Sequence, residues 1–187
     1  FSFNACKPII VYKTGRSQIG KRIAKSHTGS LSGNNEVYSA LFKQLAITEV
    51  HDPIQLLETA KLFSISSPIK KNRILAFTCS GGGAAMVADN AEELKLRLPD
   101  FSKSQKTSLK KVLPKIATIS NPLDYATPIW GIPEKTGPVF KNALKNKYSA
   151  AILVQDFPNP QINDTEKFYL NDTRAFINEC KLAGIAP

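Results

Sequence analysis

The chain has 187 residues, 42% of them hydrophobic, enough apolar content for one large or two small domains with real cores. Its 25 Lys and Arg against 15 Asp and Glu give a net charge of +10, which points to an anionic partner: nucleic acid, a nucleotide, coenzyme A or a lipid surface. Three widely spaced cysteines (Cys6, Cys79, Cys180), with no CxxC, exclude a disulfide framework or a cysteine metal site, and no apolar run reaches membrane-spanning length.

The chain begins at Phe1 and opens almost directly into a short β-branched run, residues 8–12, of the kind that forms a buried parallel strand. It reads as a piece of something longer. An acid-free basic segment follows (Lys13, Arg16, Lys21, Arg22, Lys25) and leads into Ser26-His27-Thr28-Gly29-Ser30-Leu31-Ser32-Gly33, expected to be a flexible loop. Asn34 or Asn35 caps a helix whose Val37, Ala40, Leu41 and Leu45 recur at helical spacing. Residues 47–50 form a second strand, and Asp52-Pro53 places a cap and a first-position proline at the start of the next helix. Residues 64–71 look like a linker, dividing the chain into domains 1–66 and 67–187.

After the linker the α/β alternation restarts. Residues 73–78 predict a strand, Ser80-Gly81-Gly82-Gly83 a tight loop, and residues 84–98 a helix. Ser102 with Gln105 forms a capping box for a helix ending near Pro114. Residues 116–119 predict a brief strand running into the turn-rich Asn121-Pro122-Leu123-Asp124. Helices over 134–146 and 165–183 flank a strand at 150–154, and a further strand is expected where the chain stops. Alternation of this kind builds parallel sheets with helices on both faces and collects ligands at the carboxyl ends of the strands.

His27 is the candidate for chemistry. As a metal ligand it lacks partners, and as a general base it lacks a paired nucleophile. As a phosphoryl carrier it needs mobility, a neutral ring nitrogen and nearby anion-binding dipoles, and its small, hydroxylic, cationic setting supplies a version of each. An incidental loop histidine stands beside that reading. The glycine run at Gly81–Gly83 lets backbone approach an anion at a helix start, though a plain βα turn explains it equally. Gly15 through Gly20-Lys21 has the spacing of part of a P-loop, but Arg22 stands where Ser or Thr must hold magnesium, so no nucleotide P-loop is assigned. Cys79 lacks a motif histidine and is expected to be a buried small residue. Lys103, Lys106, Lys110, Lys111 and Lys115 are read as a solvated helix face, and a nucleic-acid-binding reading rests on charge alone, with no aromatic reader motif.

Lys7-Pro-Ile-Ile-Val-Tyr-Lys13-Thr-Gly15-Arg16-Ser17, followed by Ala24-Lys-Ser26-His27-Thr28-Gly29-Ser30-Leu31-Ser-Gly33, resembles the NDP-forming acyl-CoA synthetases, relatives of succinyl-CoA synthetase. Ser80-Gly-Gly-Gly83 and then Asn121-Pro122-Leu123-Asp124 are similar to that family's next domain, so the resemblance covers about residues 7–160. It implies flavodoxin-like, succinyl-CoA synthetase-type α/β domains. Residues 1–66 would be the end of a truncated phosphohistidine domain and 67–187 most of a second. It implies an ADP-forming acid–CoA ligase in which His27 carries the phosphoryl group on a swinging loop shaped by Ser26, Thr28 and Gly29. Gly81, Gly82 and Gly83 would donate main-chain N–H groups to that phosphate, and Asp124 is a further match of open role. No metal site and no tightly bound cofactor are implied. Mg-ATP or ADP, CoA and phosphate would be substrates of the full enzyme, with a small carboxylic acid or its acyl-CoA. The implied partners are CoA-binding and ATP-grasp domains in an oligomeric, cytoplasmic enzyme, with no nucleic acid and no membrane. The alternative reading is a non-catalytic ligand-sensing regulatory module of a synthetase-like acyltransferase fusion.

Overall fold

The computed structural model describes residues 7–28, 33–66, 69, 71–157, 159, 161 and 164–187, and for His27 and Thr28 the backbone alone. The chain divides into two compact units, Phe1–Ser67 and Pro68–Pro187.

In the first unit, β1 (Ile10–Tyr12) and β2 (Thr48–Val50) pair in parallel, with Ile10 opposite Thr48 and Tyr12 opposite Val50. Between them run α1 (Gln18–Thr28) and α2 (Asn35–Gln44), and α3 (Pro53–Ile65) follows β2. The helix starts are set locally. Asn34 accepts the Glu36 N–H at 3.1 Å, and Asp52 accepts the Gln55 N–H at 2.8 Å ahead of Pro53, so each helix start has one of its unpaired N–H groups satisfied by a neighbouring side chain. Helix α3 packs on both strands, where Val50 is buried.

The second unit is built on a three-stranded parallel sheet in the order β4 (Leu123–Asp124), β3 (Ile74–Thr78), β5 (Ala150–Leu153). All five residues of β3 are buried, as expected of a central strand covered on both faces. Helices α4 (Gly81–Glu93), α5 (Lys103–Leu109), α6 (Pro133–Ala143) and α7 (Glu166–Ala183) flank it. The core is aromatic: Phe77 meets Phe140 edge-on with centroids 5.0 Å apart, and Phe176 closes the triangle at 5.8 and 5.7 Å. The predicted capping box is present at α5, with Ser102 and Gln105 bonding reciprocally. The last residues come alongside β5, where Ala186 accepts the Ala151 N–H at 2.8 Å.

Two expectations are corrected. Residues 116–119 are not a strand, and Ile116 is exposed. The place beside the middle of β3 is taken by a side chain. The Asn121 amide accepts the Ala76 N–H at 3.1 Å and donates to the Ile74 carbonyl at 2.8 Å, as a neighbouring strand's peptide would. The ladder then resumes in Leu123 and Asp124, opposite Phe77 and Thr78, within the segment read as a turn. The glycine run is likewise not a loop: Gly81–Gly83 form the first turn of α4, because Ser80 caps the helix before them.

Candidate functional site

Sequence reasoning singled out residues from both units. After β1 the chain turns at Gly15, where φ is +68°, and Ser17 starts α1: its hydroxyl accepts the Gly20 N–H at 3.0 Å and its carbonyl accepts Lys21 N–H at 2.9 Å. The helix carries Lys21, Arg22 and Lys25 and no acid in its first turn. It continues through Ser26, His27 and Thr28, which form its last turn. The expected loop therefore does not begin at Ser26. Between Gly20 and Gly29 no glycine or proline interrupts the helix, and the Ser26 hydroxyl folds back onto the Ile23 carbonyl at 2.7 Å, a bond that accommodates serine inside a helix. Gly29 lies outside the described residues.

This placement has an electrostatic consequence. The carboxyl end of a helix carries the negative end of its dipole, so α1 itself opposes an anion on its last turn. Any stabilisation of a phosphate at His27 has to come from cations or from N–H groups of another element. Arg16 is already engaged: its guanidinium donates to His51 Nδ1 (2.7 Å) and to the His51 carbonyl (3.1 Å). Because arginine only donates, His51 Nδ1 is the acceptor in this contact. His51 thus ties the turn after β1 to the turn after β2.

In the second unit the carboxyl ends of β3 and β4 bring Gly81 and Asp124 together. A Cβ on Gly81 would lie 3.7 Å from Asp124 Oδ2, while Asp124 Oδ1 accepts the Ala126 N–H at 2.9 Å and holds the turn that leaves β4. The Ser80 hydroxyl takes the Gly83 N–H at 3.3 Å. Gly81 and Gly82, at the first two helical positions, have no acceptor within the helix, so their N–H groups are the ones turned outward from its positive end. Gly83 has a different reason to be glycine: a Cβ there would stand 2.6 Å from Thr78 Oγ1. Cys79, at the end of β3, is half-buried. Burial first, then the charges of Asp172, Asp124 and Asp156, push its thiol up. Among the described residues, no group of three His, Cys, Asp or Glu is placed to hold a metal ion, and no helix is long and apolar enough to cross a membrane.

Sequence reasoning missed Asp172. It lies fully buried on α7, where it accepts the Tyr125 hydroxyl at 2.8 Å and the Thr136 hydroxyl at 2.9 Å. Burial raises its pKa, and the two hydroxyls work against that rise. Tyr125 follows Asp124 directly, so this network anchors the turn beside Gly81 from beneath. No local pattern in the sequence marks an acid in a polar helix as buried.

The chain is similar to known proteins. Residues 2–63 match the model of the succinyl-CoA ligase like flavodoxin domain. The chain is 42% identical over 125 residues, 65% of its length, to the ADP-forming acetate–CoA ligase of Methanocaldococcus jannaschii, of which it spans 18%. It is 36% identical over 118 residues, 63% of its length, to the alpha subunit of ADP-forming acetate–CoA ligase II from Pyrococcus furiosus, of which it spans 26%. Among solved structures it superposes, over 96% of the chain with a TM-score of 0.78 and 26% identity, on 37% of the dinucleotide-forming acetyl-coenzyme A synthetase 1 of Ca. Korarchaeum cryptofilum, determined in complex with phosphate and ADP. Residues 2–63 therefore match a flavodoxin-like domain of the succinyl-CoA ligase type, and the chain is similar to a part of the ADP-forming acetate–CoA ligases, of which it spans no more than 26% in these relatives.

Proposed function

We propose that the chain is the phosphoryl-carrying part of an ADP-forming acyl-CoA synthetase, with His27 as the transient carrier. In the first step a phosphate oxygen attacks the acyl-CoA thioester, the C–S bond breaks, and CoA leaves as its thiol after protonation. The product is an acyl phosphate. A neutral ring nitrogen of His27 then attacks phosphorus, the bond to the acyl oxygen breaks, and the carboxylate departs. A terminal oxygen of ADP finally takes the phosphoryl group from nitrogen, giving ATP and free His27. All three steps run in either direction.

The observation that carries this reading is the Ser26-His27-Thr28-Gly29 block at the end of the cationic helix α1, in a chain homologous to ADP-forming ligases. Its chemistry is consistent with what each residue can do. Lys21, Arg22 and Lys25 supply positive charge on α1, and Gly81 and Gly82 offer N–H donors to an anion at the start of α4. Ser26, Thr28 and Gly29 shape the segment that moves the carrier between reaction partners. Asp124 holds the turn beside Gly81. In this reading residues 1–66 end a phosphohistidine domain and 67–187 form the next. CoA-binding and ATP-grasp domains, on the same polypeptide or another subunit of a cytoplasmic oligomer, bind CoA, Mg-ATP and the carboxylic acid, and the 187 residues alone do not turn over.

The test is intact mass spectrometry of the longer protein that contains this chain after brief exposure to Mg-ATP, beside its His27→Asn variant. One acid-labile phosphate on the unmodified protein alone is the expected result. A phosphate on both proteins, or on neither while nucleotide binds, overturns the assignment; the second outcome favours the ligand-sensing module.

A further inference from the structure

The lysine block read from sequence as a solvated face has a shape that this reading does not explain. Helix α5 and the turns after it fold around an open groove of about 480 Å³, a volume suited to a small organic ligand. Lys106, Lys110 and Lys115 line it, and half-buried Leu113, Pro114 and Ile119 contribute its apolar wall. Lys106 is paired with Asp100, which fixes its ammonium at one side. Neither Lys110 nor Lys115 has a carboxylate partner among the described residues, although the second unit is not short of acids. Lys110 and Lys115 are two uncompensated cations beside apolar surface and make a positive site in a concave setting, while Lys106, paired with Asp100, adds no net charge to it.

The lining narrows the class of ligand. No aromatic side chain faces the groove, so nothing there stacks on a base, which argues against single-stranded nucleic acid and against a nucleobase as the anchoring group. Ammonium groups on flexible stems bind phosphate as point charges. We propose that the groove between α5 and residue 119 binds the phosphate end of a small organic phosphate, the lysines taking the charge and Leu113, Pro114 and Ile119 taking the apolar part. The site uses none of the residues assigned to phosphoryl transfer and does not depend on that assignment.

The test is an NMR and calorimetric titration of the 187-residue chain at low ionic strength with inorganic pyrophosphate, and with citrate as a polyanion lacking phosphate. The expected result is saturable one-to-one binding of pyrophosphate with amide shifts confined to residues 106–119, weakened about tenfold or more in Lys110→Ala/Lys115→Ala. The charge-matched control Arg174→Ala/Lys181→Ala, two exposed positions on α7, should bind as the unmodified chain does. Absence of saturation at millimolar pyrophosphate overturns the proposal. So does equal weakening in the control, which would mark net charge as the cause, or citrate binding as tightly as pyrophosphate. Circular dichroism of the exposed-lysine variant verifies that a lost signal is not a lost fold.

Discussion

Gly83 lies so close to Thr78 that a Cβ added to it would stand 2.6 Å from the Thr78 hydroxyl, a separation that real side chains do not adopt. Thr78 cannot swing aside freely. It is buried and β-branched, and its Oγ1 accepts the Ser80 N–H at 3.2 Å, the same serine that caps α4. Gly83→Ala is therefore expected to destabilise the second unit by about 1–3 kcal/mol, because β3 and α4 must separate slightly or the cap must shift. Denaturant midpoints check this. In a double-mutant cycle Thr78→Ala should recover part of the loss, since it removes the atom in the way.

Gly81 offers the opposite experiment. It is the first helical residue of α4, and Ser80 before it is extended, with φ −137° and ψ 128°. Both conditions suit proline, which is tolerated at the first helical position and requires an extended predecessor. Gly81→Pro thus deletes one outward N–H while the helix start is kept. Its stability is expected within about 0.5 kcal/mol of the unmodified protein. If the N–H serves the phosphoryl group, phosphotransfer to and from His27 slows by about 10–100-fold, as for a lost hydrogen bond to a charged group. Unchanged transfer kinetics with an intact fold would remove Gly81 from the site.

Asp172 sets a pH dependence whose sign follows from its burial. Its carboxyl is held above the ordinary carboxylate range, so between that range and its raised pKa the folded protein keeps a proton that the unfolded chain releases. Its contribution is complete at pH below the unfolded value and is lost as pH rises through the folded one. Asp172→Asn is not titratable and keeps an acceptor for the Tyr125 hydroxyl, while the Thr136 hydroxyl can turn to accept. Thermal midpoints measured from acidic to neutral pH should therefore fall with rising pH more steeply in the unmodified chain than in this variant. Parallel profiles would show that folding does not shift the Asp172 carboxyl.

What could be read from the sequence was what neighbours in the chain decide. The caps at Asp52 and Ser102, and one at Asn34 or Asn35 that the structure gives to Asn34, were legible because each side chain bonds a backbone group two or three residues away. The histidine block was misread as conformation. Serine and threonine suggested a loop, whereas the Ser26 back-bond and the absence of a breaker before Gly29 let α1 run on. Asp172 was illegible because its burial depends on Tyr125 and Thr136, 47 and 36 positions away. The apolar run at 116–119 carried a strand's composition without a strand's partner, since the bonds it would have made with β3 go to the amide of Asn121.

That substitution of a side chain for a strand makes β3 depend on the Asn121 amide. Its Oδ1 accepts from Ala76, and its Nδ2 donates to Ile74 at 2.8 Å and to Pro99 at 3.1 Å. Asn121→Asp has nearly the same shape and preserves the acceptor. It replaces the donor with an oxygen facing two carbonyls, and those carbonyls lose their partner in a part-buried site. The expected cost at neutral pH is about 2–3 kcal/mol, more than a substitution of this size produces on a surface. The new carboxyl is disfavoured in its charged form by the same carbonyls, so its folded pKa is raised. Stability should therefore return in part on acidification, when the protonated oxygen can donate to Ile74 or Pro99, and be lost again as pH rises. Urea midpoints at mildly acidic and neutral pH decide the matter. A variant equally stable at both, and no weaker than the unmodified chain, would mean that the amide is a bystander and that Leu123 and Asp124 hold β3 without it.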